Sequence, residues 1–133
     1  MGLQLYMVGV MVEDMEKAVE FYRRLGVAIP EGAETRQHVP IEMNGITFFL
    51  NTKTLNARWD PARTDGSGGY RIILEFYLES AEVLDAKYNE MMDYGYESHV
   101  PPYVTPFNMY FGMINDPDGN TILLSSNVPS DTA

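Results

Sequence analysis

The chain has 133 residues, room for one hydrophobic core, and with 45% apolar and 21% charged residues it lies far from the composition of disordered chains. Its formal charge of -10 repels phosphate backbones and anionic lipid, which argues against nucleic acid and membranes as partners. Cysteine is absent, which removes disulfides, thiolate nucleophiles and thiolate metal sites and suits a reducing, cytoplasmic compartment.

The N-terminal run MGLQLYMVGVMV has no basic segment and no small-residue cleavage site. It reads as a strand over Leu5 to Val12, and nothing in the chain approaches the length of a membrane span. Asp14 stands as an N-cap, followed by Met15, Ala18, Val19, Tyr22 and Leu25 at helical spacing, with Gly26 closing the helix. Extended stretches are expected at Val27 to Pro30, Glu34 to Met43 and Ile46 to Thr52, the last two joined by Asn44-Gly45, a strong hairpin signal.

Lys53 to Gly69 reads as a long Gly/Asp/Arg-rich loop carrying the only tryptophan, Trp59. The first order then repeats. Tyr70 to Leu78 alternates as a strand, Ser80 caps a helix with Val83, Leu84, Tyr88 and Met91 on one face, and Gly95 ends it. Strands follow at Glu97 to Val100, Met109 to Ile114 and Thr121 to Ser126, the last two turned by Asp118-Gly119, with a proline-rich loop (Pro101, Pro102, Pro106) between the first two. Two copies of one supersecondary unit, residues 1–52 and 70–127 around a linker at 53–69, make up a single α+β domain.

Three features together carry a family resemblance: Gly9 inside the first strand, the helix EDMEKAVEFYRRLG, and NDPDGNTILLSS leading into the last strand. In this order they resemble the vicinal oxygen chelate superfamily, which includes glyoxalase I, extradiol dioxygenases and bleomycin-type resistance proteins. The resemblance implies tandem βαβββ modules forming a curved mixed sheet around a cleft, with two chains pairing as a homodimer. Enzymes of that superfamily hold a divalent metal on side chains that map here to Met7, Phe49, Ile73 and Leu123. All four are apolar or thioether groups, whereas a hard cation needs oxygen or imidazole donors, so no metal and no cofactor are expected. His38 and His99 fall on none of the mapped positions.

A cleft without a metal can still hold an apolar or aromatic molecule, and 9 Tyr, 6 Phe, 1 Trp and 9 Met supply stacking rings and adaptable thioethers. Phe21, Tyr22, Tyr88 and Met91 sit at helical core spacing and are read as packing residues. Strand parity in step with the mapped positions selects the cleft candidates Met7, Gly9, Met11, Phe49, Asn51, Ile73, Glu75, Tyr77, Leu123 and Ser125. His38, Tyr110 and Met113 join them with their register open, and Trp59, Tyr103 and Phe107 as loop aromatics. Glu75 is either a surface carboxylate or the partner of Arg71, a tyrosine or a cationic ligand. The expected function is sequestration of a small aromatic, cationic antibiotic of the bleomycin, mitomycin or enediyne type. The alternatives are a metal-dependent glyoxalase-like lyase or dioxygenase-like enzyme, a metal-free isomerase, and a dimerising module with no ligand.

Overall fold

The computed structural model describes residues 5–58, 60 and 72–129. The chain divides into two compact units, residues 1–67 and 68–133. Both are α+β, each with a mixed sheet backed by one long helix.

In the first unit, β1 (Met7–Val12) leads into α1 (Met15–Leu25), then β2 (His38–Met43), β3 (Ile46–Thr52) and the single turn α2 (Lys53–Asn56). Sheet order is β1-β3-β2, with β1 parallel and β2 antiparallel to β3. Asp14 caps α1 by accepting from the Lys17 N–H, and Gly26 ends it at a φ of 124°, a backbone region that favours glycine. The helix buries Met15, Ala18, Val19, Phe21, Tyr22 and Leu25 against Val10, Val12, Val39, Ile41, Phe48 and Leu50 from the sheet. Full burial of each large side chain stabilises by about 1.5–3 kcal/mol. Tyr22 meets Phe48 edge-on at 6.4 Å between ring centroids.

The first half departs from expectation at Val27 to Pro30, where no strand forms. Arg23 explains the difference: its Nη2 donates to the carbonyls of Pro30 (2.8 Å) and Ile29 (3.4 Å), while its Nη1 bonds Glu34 at 2.8 Å. Backbone acceptors that a neighbouring strand would have used are taken by a guanidinium, and Pro30 has no N–H to offer a ladder. The Arg23 hydrogen bond holds the Glu34 carboxyl below its ordinary range. The expected strand at Glu34 begins only at His38, after a 3₁₀ turn at Ala33–Thr35, and α2 occupies the start of the expected long loop.

The second unit runs β4 (Leu74–Tyr77), α3 (Ala81–Asp93), β5 (Glu97–Val104), β6 (Tyr110–Asn115), β7 (Thr121–Ser126), a complete βαβββ unit with sheet order β4-β7-β6-β5. Ser80 caps α3 on the Val83 N–H. Ala81, Leu84, Tyr88 and Met91 are buried, whereas Val83, expected on that face, is exposed. Pro101 and Pro102 lie inside β5 and not in a loop. They are tolerated because β5 is an edge strand with irregular register on either side of Val100. β4 is shorter than expected, beginning at Leu74. Among the described residues no helix is long and apolar enough to cross a membrane.

Candidate functional site

Directly paired residues on neighbouring strands point to the same side of a sheet, so register assigns faces. In the first unit the pairs Met7↔Thr47, Gly9↔Phe49, Met11↔Asn51, His38↔Asn51 and Pro40↔Phe49 build the face turned away from α1. Its three rows across β1, β3 and β2 are Met11–Asn51–His38, Gly9–Phe49–Pro40 and Met7–Thr47–Glu42. Phe49 leans over β1, and only the missing side chain of Gly9 allows this, since a Cβ there would overlap the ring. His38 lies 5.3 Å from Phe49 between ring centroids, and its Nδ1 is 2.6 Å from Asn51 Oδ1. Asn51 is buried at 4% exposure, so this polar pair is anchored from below.

In the second unit the face turned away from α3 carries the row Tyr77–Ser125–Phe111–Tyr103 and, beside it, Glu75–Leu123–Met113–Val100. The fully buried Ser125 donates its hydroxyl to Glu75 Oε2 at 2.8 Å, holding an exposed carboxylate among apolar neighbours. Among the described residues no cation pairs with Glu75. Phe107, 66% exposed, stacks edge-on to Phe111 at 5.6 Å.

The structure thus brings together Met7, Met11, His38, Phe49 and Asn51 on one face, and Glu75, Tyr77, Tyr103, Phe107, Met113 and Leu123 on the other unit's equivalent face. Tyr110 is a correction. It is paired with Ser126 and Val104 on the α3 side, and its hydroxyl donates to Asp85 of α3 at 2.7 Å. That environment pushes its phenol up to about 12, first through burial and then through the Asp85 hydrogen bond and charge. Phe111, which sequence reasoning passed over, takes the place on the aromatic face. Tyr110 and Met113 are an odd number of positions apart, so a regular strand could not have shown both to one side. Trp59 and Arg71 lie outside the described residues.

A family model described as the Glyoxalase/Bleomycin resistance protein/Dioxygenase superfamily matches residues 4–124. The chain belongs to this superfamily. Solved structures agree on the fold of this superfamily member. A glyoxalase/bleomycin resistance protein/dioxygenase family enzyme from Burkholderia phytofirmans is similar at TM-score 0.81 and 17% identity, covering 95% of this chain and 100% of that one. A hypothetical protein from S. aureus gives 0.79 at 20% identity, covering 95% and 94%. A lactoylglutathione lyase from Agrobacterium tumefaciens gives 0.68 at 18%, covering 92% of each chain. No curated protein matches. The superfamily includes both enzymes and binding proteins.

The metal of the superfamily's enzymes can be tested against the side chains present. Met7 and Phe49 stand on the first face, Leu123 on the second, and Ile73 immediately before β4. One thioether and three hydrocarbons give a hard divalent ion nothing to bind. Among the described residues no three His, Asp or Glu side chains gather as a metal site would require. The donor set does not fit such a metal.

Proposed function

We propose that this superfamily member binds and sequesters a planar aromatic, cationic antibiotic without a metal and without turnover, and so confers self-resistance. In this reading it works in the cytoplasm as a homodimer. The observation that carries the reading is the chemistry of the mapped metal positions: Met7, Phe49, Ile73 and Leu123 offer contact area where a catalytic relative needs donor atoms. Each unit by itself carries groups suited to contacting a flat molecule on the face turned away from its helix: Phe49 and the thioethers of Met7 and Met11 in the first, Tyr77, Phe111 and Tyr103 in the second. Glu75, pinned by Ser125, supplies the negative charge that favours a basic ligand.

The test is titration of the single tryptophan's fluorescence with a panel of polycyclic antibiotics, with recovery of the bound compound and metal analysis of the protein in parallel. Saturable binding at one ligand per chain, unchanged compound on release and indifference to chelators are the expected results. Chemical conversion of the ligand, or stoichiometric divalent metal whose removal abolishes binding, overturns the reading in favour of a lyase or dioxygenase.

A further inference from the structure

The His38–Asn51 pair says more about the ligand than the greasy surface around it. An amide carbonyl oxygen can only accept, so the 2.6 Å contact with Asn51 Oδ1 requires the proton on His38 Nδ1. The hydrogen bond made by one ring nitrogen sets the state of the other, and in the neutral ring Nε2 is therefore left with its lone pair. Asn51 is held by its burial in β3, while His38 is exposed on the edge strand β2, so a fixed base presents an open acceptor at the rim of the face. Among the described residues His38 has no second hydrogen-bond partner. Phe49 is its neighbour at 5.3 Å, and Met11 flanks Asn51 from the other side.

We propose that His38 Nε2 selects ligands carrying a hydroxyl on an aromatic ring: the ring lies against Phe49 and Met11 while the phenolic O–H donates to Nε2. This rests on the binding reading above and specifies the ligand's edge, a donor hydroxyl on a flat ring system.

The test compares 2-phenanthrol with its methyl ether, one planar frame with and without the donor, bound to the full chain near pH 8. The phenol is expected to bind about three- to tenfold tighter, the range a single neutral hydrogen bond supports. His38→Phe, which keeps an aromatic ring at the exposed position, brings the two affinities together. Long-range proton–nitrogen NMR of the imidazoles reports the same claim without any ligand, expecting the Nδ1–H form at His38 and its loss in Asn51→Leu. The Nε2 signal then moves with the phenol and stays put with the ether. An Nε2–H tautomer in the free protein, or a phenol preference that survives His38→Phe, overturns the proposal. Equal binding of the two compounds, or failure of both to bind, overturns the proposal, while sequestration is decided separately by the antibiotic titration.

Discussion

Gly9 is the residue whose small size does most to shape the first face. Its open position lets Phe49 lean over β1, and the atoms that a new methyl would strike are the far end of a ring that can swing away. Gly9→Ala is therefore expected to change stability by no more than about 0.5 kcal/mol, the usual range for a surface site, yet to weaken binding of a flat ligand several-fold by moving the ring. Thermal melts alongside the fluorescence titration check both halves of that expectation. Tyr110 gives a prediction in pH. Its phenol is neutral below about pH 10 in folded and unfolded chains alike, but between 10 and about 12 only the unfolded chain ionises. The stability present below pH 10 is thus lost as pH climbs through 12. Urea midpoints across that interval should fall more steeply in the native protein than in Tyr110→Phe, and parallel slopes would refute the assignment.

At the level of elements, the turn between β6 and β7 is built on one buried side chain. Asp116 Oδ1 accepts from the backbone N–H of Asp118 (2.9 Å) and of Asn120 (2.8 Å), and its Oδ2 from the Asn120 amide at 2.9 Å. Asp116→Ala leaves those donors unsatisfied and should cost about 2–3 kcal/mol, read as a lowered urea midpoint at unchanged slope. The hairpins also show how much of the face was legible beforehand. Asn44-Gly45 makes a two-residue loop between Met43 and Ile46, and counting back from that pair sets His38 opposite Asn51. The register of β2 could therefore have been read from the turn. The β6–β7 hairpin holds five residues in its turn, a length that leaves several pairings open, and this is why the sequence leaves the register of Tyr110 and Met113 undecided and does not single out Phe111. Caps were more informative. Asp14 and Ser80 begin their helices as their residue types require, because the satisfied N–H groups lie only three residues away.

On the scale of the whole molecule, the net charge of -10 and the exposed Glu75 favour a cationic ligand over an anionic one. Raising salt from about 0.01 M to about 0.15 M shortens the screening length from about 30 Å to about 8 Å. Association of a cationic polycycle should slow over that range while a neutral analogue is unaffected, as stopped-flow quenching can show. Glu75→Gln should remove part of the difference, and an identical salt response for both compounds would exclude electrostatic selection.

Both helix starts, the tight turn at Asn44-Gly45 and the order of the elements, apart from the strand expected at Val27 to Pro30 and the short helix α2, were determined by the sequence alone, since each depends on residues within a few positions of one another. Superfamily membership followed from the same local signals in combination. Only the tertiary structure decided that Arg23 would take the carbonyls of Ile29 and Pro30, that Tyr110 would turn to Asp85, and that Ser125 would pin Glu75. Those outcomes join groups as much as 50 positions apart in the chain, where the winning hydrogen bond depends on which strands and helices have already packed, a competition that no local pattern records.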